Sequence, residues 1–530
     1  MAAMTDISAD DPPQPRALRA WAAPALEAIT AFGTAGLFLA ACLLIRVNPR
    51  DRLGQISGLA SLELRFFLFG IVLLVALIVA ARVRGGRHFD MTSRLACAAI
   101  AGLATGLVAG GILVALRGTP WGLHTKGGDV SALTAWATAL HRGEPIPPLY
   151  PPLSLHVLAE YSNLVNLPPD HAIKHLQIIG TAAFGPLAYL GWRLLLRPVW
   201  ALGIGVIATI PLIEPYKPYP NLVLVLTIPL AILFLKVLRE VPGRHWFPIT
   251  RAAVGFGVVF GVLCLGYSGW FKWAAPGLFV ATLVVFPWCA AWRKGLLLLG
   301  VTGLAFLLLV GRYLGAVLFD PAAKVVDTFV YFDVGVEPMY IAMWRNDLPG
   351  VITTWPPHGE LGGVGLFTIA LLLGLGLAVA LGRKSAMVIG LGSIMVGAWL
   401  LRFWYARSLW ETKLVQLYPR TTPLILYCLI VLTGMAGYWL VRRLSPDHPL
   451  RGRAALIGAA CGLLLLFGST GSAISDRYMP SNTTPPGTGF LAWNAHLSQR
   501  ATKPKNVTSH VLTWVRRSSL PIPAPIPTRK

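Results

Sequence analysis

The chain has 530 residues, 55% of them hydrophobic and only 13% charged, with a mean hydropathy of +0.65, which excludes an ordinary soluble globular protein. Its 45 basic and 22 acidic residues give a net charge of +23, but the cations lie between apolar runs rather than in a basic domain. They read as loop residues retained on the cytoplasmic side of a membrane, not as a nucleic-acid surface.

In chain order, residues 1–23 carry Asp6, Asp10 and Asp11 and lack the basic start of a signal peptide. Apolar runs follow at 24–45, 65–82, 94–116, 172–195, 198–213, 221–238, 251–267, 274–291, 295–318, 362–381, 385–402, 422–441 and 453–474. Backbone polar groups must be satisfied internally in lipid, so these predict an all-α polytopic transmembrane helix bundle of about 13 spans. The six cysteines (Cys42, Cys97, Cys264, Cys289, Cys428, Cys461) fall in or near these runs without C-x-x-C spacing, so neither a zinc site nor a disulfide framework is expected.

Charge orients the bundle. The connections 82–94, 193–197, 236–251, 292–294, 383–384 and 442–453 are rich in Lys and Arg, which predicts a multi-pass plasma-membrane protein with these loops and the N-terminus cytoplasmic. The opposite, extracytoplasmic side carries 117–170, 214–220, 268–273, 319–361, 403–421 and the tail 475–530. One connection disagrees: 46–64 puts Arg46, Arg50 and Arg52 on the outer side. The outer loops are the long ones, with the acids, aromatics and prolines, so chemistry is expected there, on a substrate carried by lipid.

The first outer loop runs T-P-W-G-L-H-T-K-G-G-D-V from Thr119. Asp129 follows a Gly127-Gly128 pair and precedes a segment with Ala132, Leu133, Trp136 and Leu140 at helical spacing, which suits an amphipathic helix lying at the interface. The aspartate reads in two ways: an N-cap of that helix, or a general base taking a proton from an attacking hydroxyl. The loop ends on Tyr150-Pro151-Pro152. Next comes a proline-stiffened turn, L-I-E-P-Y-K-P-Y-P-N, with Glu214, Tyr216 and Lys217. These groups can bind a sugar and a phosphate, or Tyr and Lys can anchor the interface; a carboxylate beside the membrane core is costly without a purpose.

Loop 319–361 holds Asp320, Asp327, Asp333, Glu337, Asp347, His358 and Glu360, oxygen ligands that suit a divalent ion or simply a solvated acidic loop. No cofactor is otherwise indicated. Around 402–421, Arg402, Arg407, Lys413 and Arg420 are cations on the outer side, interleaved with Trp404, Tyr405 and Trp410. They suit the phosphate that a departing sugar leaves behind, or an aromatic belt with snorkelling cations. The tail is proline-rich, with 489–518 expected as a small helical cap.

The pattern Gly128-Asp129, Trp136, Arg142-Gly143 and Tyr150-Pro151-Pro152 in a first large outer loop resembles the membrane glycosyltransferases of the GT-C class. With the 405–413 stretch Y-A-R-S-L-W-E-T-K it resembles, within that class, the membrane domain of galactan-priming arabinofuranosyltransferases. The resemblance spans about residues 24–474. It implies a polyprenyl-phosphate sugar as donor, an envelope glycan or lipid as acceptor, Asp129 as the base, and Tyr150, Glu214, Tyr216, Lys217, Arg402, Arg407, Trp410, Lys413 and Arg420 around the donor. The tail departs from members that carry a large outer carbohydrate-binding domain. A mannosyltransferase, or a transporter or flippase of lipid-linked sugar, accommodates the same residues.

Overall fold

A computed structural model describes residues 17–83, 86–125, 127–321, 366–412, 420–444, 449–483 and 487–502. The described residues contain helices and loops and no strand. In chain order the helices are α1 (Ala17–Cys42), α2 (Arg52–Arg82), α3 (Gly86–Ala115), α4 (Gly128–His141), α5 (Pro152–Leu164), α6 (Pro169–Arg193), α7 (Pro198–Leu212), α8 (Tyr219–Glu240), α9 (Trp246–Gly266), α10 (Gly269–Val285), α11 (Trp292–Phe319), α12 (Leu366–Gly382), α13 (Ala386–Arg407), α14 (Leu409–Thr412), α15 (Thr421–Leu444), α16 (Pro449–Arg477) and α17 (Gly489–Thr502).

Each apolar run coincides with a helix over most of its described residues, and the largest departure is 286–291, a non-helical connection at the end of the run 274–291. Among the described residues nine helices are long and apolar enough to cross a membrane: α1, α2, α3, α8, α9, α11, α13, α15 and α16. The apolar helices α7 and α10 are shorter, as is α12 over Ile369–Gly382. The protein is a multi-pass helical bundle.

α3 is its axis, with 94% of its apolar window buried between α1, α2, α6 and α16. Its sequence A-G-L-A-T-G-L-V-A-G-G explains this position, since small side chains let backbones approach closely where apolar packing against lipid offers no gain. A Cβ at Gly102 would lie 2.2 Å from the Ala31 carbonyl oxygen on α1, and one at Gly185 of α6 would lie 2.0 Å from the Ala101 carbonyl oxygen. By contrast α2 and α11 keep most of their apolar surface exposed, as lipid-facing helices do.

The helices alternate between two ends. One gathers basic loops: Arg193 pairs with buried Glu27 at 2.7 Å, Arg239 donates to the Lys384 carbonyl at 2.7 Å, Lys294 to the Arg244 carbonyl at 2.7 Å and Arg453 to the Ala81 carbonyl at 3.1 Å. The other end carries the loops after α3, α7, α9, α13 and α16.

Two expectations are corrected. Residues 46–64 are not one long loop, because α2 begins at Arg52, capped by Asp51, whose carboxylate accepts from the Leu53 N–H at 3.3 Å. Leu53, Ile56, Leu59 and Leu62 continue the helical spacing beyond the apolar run, and Arg52 is tied down by Asp476 at 3.8 Å. Nor does α4 turn its apolar face to a bilayer surface: Val130, Leu133 and Ala137 pack on Leu155, Leu158 and Ala159 of α5 and on Ala172 and Ile173 of α6.

Candidate functional site

Just beyond the end of α3, Lys174 of α6 donates to the carbonyls of Leu116 at 3.1 Å and Thr119 at 2.6 Å. One turn further along α6, buried Gln177 accepts from the Leu123 N–H at 2.8 Å and donates to the carbonyls of Leu123 at 3.1 Å and Tyr216 at 3.0 Å. This side chain fixes the first polar loop to the turn after α7. Asn221 secures the other side of that turn by donating to the Leu212 carbonyl at 2.8 Å. From above, α17 closes on the loop: Thr119 donates its hydroxyl to the Ala495 carbonyl at 2.9 Å, the His124 N–H donates to the Leu491 carbonyl at 3.2 Å and His496 to the Ala115 carbonyl at 2.9 Å. The expected helical cap thus exists over Gly489–Thr502, while 503–518 lies outside the described residues.

The loop then turns sharply. His124 adopts φ +59° and Gly128 φ +49°, a left-handed conformation that costs a residue with a side chain about 1–2 kcal/mol. The two glycines are required by the imidazole beneath them: a Cβ at Gly128 would lie 2.6 Å from His124 Cε1, and one at Gly127 2.9 Å from its Nε2. Burial holds the His124 imidazole below its ordinary pKa against the pull of the Asp129 charge, and its buried Nδ1 has no hydrogen-bond partner among the described residues.

α4 starts here, with Gly127 as its N-cap and no side-chain cap bond. Asp129 therefore sits inside the first turn and is not the cap. Its carboxylate forms an ion pair and hydrogen bond with Lys217 of the turn after α7. Partial burial pushes the Asp129 pKa up, but the charge and hydrogen bond of Lys217, then the charges of Arg420 and His124, outweigh it and hold the carboxyl below its usual range.

Around this pair the site is aromatic. The Tyr150 and Tyr219 hydroxyls are hydrogen-bonded, and Trp136 lies tilted on Tyr150 with centroids 4.7 Å apart. Lys217 sits 5.9 Å from the Tyr219 ring centroid, Tyr216 meets His124 edge-on at 6.0 Å, and Tyr267 meets Tyr219 at 6.4 Å. Burial pushes the Tyr150 and Tyr216 phenols well above their ordinary range. Glu214 is half-buried, and burial raises its carboxyl despite the opposing charge of Lys217; the charge of Asp129 adds to the rise. Two carboxylates thus share one site with their acidities driven apart, the arrangement that separates acid and base roles.

Asp129, Tyr150, Glu214, Tyr216, Lys217 and Arg420 come together, with the charge of Arg420 acting on Asp129, Tyr150 and Lys272. Arg402 and Arg407 do not join them. Arg402 is fully buried and donates to the hydroxyls of Thr421 at 3.3 Å and Thr422 at 2.8 Å, bracing α13 against α15. Arg407 is exposed and stacks on Trp404, 4.2 Å from its ring centroid. Trp410 belongs to the short helix α14, and Lys413 lies outside the described residues, as do Asp327, Asp333, Glu337, Asp347, His358 and Glu360. Among the described residues no group of three or more His, Cys, Asp or Glu side chains could hold a metal ion. Gln177 and Tyr267 were not anticipated; the only signal for Gln177 was an amide within an apolar run.

The chain matches no protein-family model and shows no significant match to any curated protein sequence.

Proposed function

We propose that the protein is a membrane glycosyltransferase of the GT-C type, moving a sugar from a polyprenyl-phosphate donor to a cell-envelope glycan or lipid at the extracytoplasmic face, with arabinofuranose as the sugar that the closer resemblance implies. The observation that carries this reading is the convergence of an ionised Asp129, the cations Lys217 and Arg420, a second carboxyl at Glu214 and the Trp136–Tyr150–Tyr219 aromatic group at one end of a lipid-embedded bundle.

In this reaction the acceptor hydroxyl oxygen attacks the anomeric carbon, the bond from that carbon to the phosphate oxygen breaks, and the lipid phosphate departs with the electron pair. Asp129 takes the hydroxyl proton. Lys217 and Arg420 stabilise the negative charge that grows on the phosphate, and the aromatic faces hold the sugar ring. The polar end is then outside the cell, the N-terminus cytoplasmic, and the bundle crosses the plasma membrane about 13 times.

One feature favours a second reading. α7 is interrupted by a π-helical stretch over Ala201–Val206 and ends in a 3-10 turn just before Glu214, and broken helices are used by transporters. The deciding experiment reconstitutes the purified protein in vesicles with a radiolabelled polyprenyl-phosphate pentose and a galactan fragment. Label in the glycan establishes transfer; label moved between leaflets with the donor intact establishes transport. Loss of one envelope linkage from cells lacking the protein, read by mass spectrometry, identifies the acceptor. Reporter tags after residues 130 and 500 are accessible from outside and one at 244 is protected; the reverse pattern removes the outer-face reading.

A further inference from the structure

The two partners of the Asp129–Lys217 pair are unequally held. The Lys217 side chain is 15% exposed and that of Asp129 is 61% exposed. Lys217 is wedged against the Tyr219 ring, in a turn secured by Gln177 and Asn221. Asp129 projects from the exposed start of α4 directly after two glycines. If the pair opens, Asp129 swings into water and Lys217 stays.

Further cations lie near the pair. The charge of Arg420 acts on both Asp129 and Lys272, and Lys272 stands 5.1 Å from the Trp273 ring centroid at the start of α10. Among the described residues, the carboxyls acting on Lys217 are Asp129 and Glu214, and burial favours the neutral form of Glu214. An anion entering here meets a cationic set whose most buried lysine is occupied by an exposed carboxylate of the same chain.

We propose that Asp129 is a built-in competitor in an anion site: a phosphate monoester or diester displaces the Asp129 carboxylate from Lys217, and this displacement releases Asp129 to act as the base. The inference rests on the glycosyltransferase reading and deepens it. While paired, Asp129 is a poor proton acceptor; once the ligand phosphate takes Lys217, its basicity rises at the moment a donor is present. The donor therefore binds first, and the unloaded site does not activate water or acceptor. The exchange keeps Lys217 paired throughout, because phosphate accepts several charge-assisted hydrogen bonds in place of the exposed carboxylate.

The test measures binding to the full-length protein in nanodiscs, using a polyprenyl monophosphate in the bilayer and, separately, inorganic phosphate in the water. Asp129→Asn removes the competitor, so the expected result is binding tighter by up to about fivefold, the equivalent of about 1 kcal/mol at 1.4 kcal/mol per tenfold. Asp129→Ser, well tolerated at a helix start, repeats the gain if charge is its cause. Lys217→Ala weakens binding about tenfold or more, and adding Asp129→Asn to it brings no recovery. A gain seen with both ligands assigns the site to the phosphate alone; a gain with the lipid only adds contacts with the chain; both support displacement. If Asp129→Asn and Asp129→Ser leave affinity unchanged or weaker while Lys217→Ala weakens it, the pair persists in the complex and the inference falls while the enzymatic reading stands. If the folded wild-type protein binds no polyprenyl phosphate, both fall.

Discussion

Gln177 and Leu123 exchange two hydrogen bonds, the backbone N–H of Leu123 donating to the side-chain oxygen of Gln177 at 2.8 Å and the side-chain nitrogen donating back to the Leu123 carbonyl at 3.1 Å. A buried amide on a helix within the bundle thereby sets the height of the loop that carries Asp129. Removing it leaves the Leu123 N–H and the carbonyls of Leu123 and Tyr216 without their partner. Gln177→Leu should cost about 1–3 kcal/mol for each group that finds no water, visible as a lower melting temperature in detergent. Gln177→Glu keeps the acceptor for Leu123 but loses both donated bonds, so it should fall between Leu and the wild type. Unchanged melting in Gln177→Leu would mean that Lys174, Lys217 and α17 hold the loop without it.

Asp129 is not a cap, so its neutral variant should be stable. Asp129→Asn should leave the melting temperature almost unchanged while transfer falls on the order of 10²–10⁴-fold, the usual cost of losing a general base. Asp129→Glu keeps the charge and should retain partial activity. Near-normal transfer by the Asn variant would move the base to Glu214.

The two carboxyls respond to pH with opposite signs. Asp129 is held below its ordinary value of 3.8, so its contribution to stability is present above that pH and is lost only as pH falls through its lower folded value. Lys217→Ala removes the largest opposing influence and lets burial raise the Asp129 pKa, so the acid limb of the rate profile should move to higher pH. Glu214 is raised above its ordinary 4.5, so burial favours folding while it is protonated, and that advantage is lost as pH rises through the folded value. Glu214→Gln should flatten the fall in stability on that side; an unaltered stability profile would show that Glu214 ionises without penalty.

The three arginines should separate by assay. Arg402→Ala takes a fully buried cation away from Thr421 and Thr422 and should lower stability, an effect of about 1–3 kcal/mol for each hydroxyl left unsatisfied. Arg420→Ala should raise the donor KM with little change in melting. Arg407→Ala, removing an exposed group stacked on Trp404, should change donor use less than Arg420→Ala. Equal donor defects at 407 and 420 would extend the phosphate site along the end of α13.

Apolar runs made the helices legible in the sequence, because about 20 residues without water-borne partners have no other way to satisfy their backbone in lipid. The candidate residues were legible as separate loops but not as pairs: nothing in either segment announces that Lys217 reaches Asp129, 88 positions away, because that contact is set by how α6 and α8 pack. Arg402 misled for a physical reason. It follows an apolar run and looked like the first outer cation, yet α13 continues to Arg407 and turns Arg402 inward. Gln177 was hidden because a single amide in a span looks like tolerated polarity until its three partners are seen.

The clamp formed by α17 has a consequence for how the protein is made. Thr119 and its partner Ala495 are 376 positions apart, and Ala115 and His496 are 381 apart. During synthesis the loop bearing Asp129 leaves the ribosome long before the segment that fastens it. Helices α8 to α16 must find their neighbours with that loop held by α6 and the turn after α7 but not yet by α17. Closure by α17 is thus the last contact of the polar end to become available, and a chain arrested ahead of Gly489 should carry the loop on α6 without its lid.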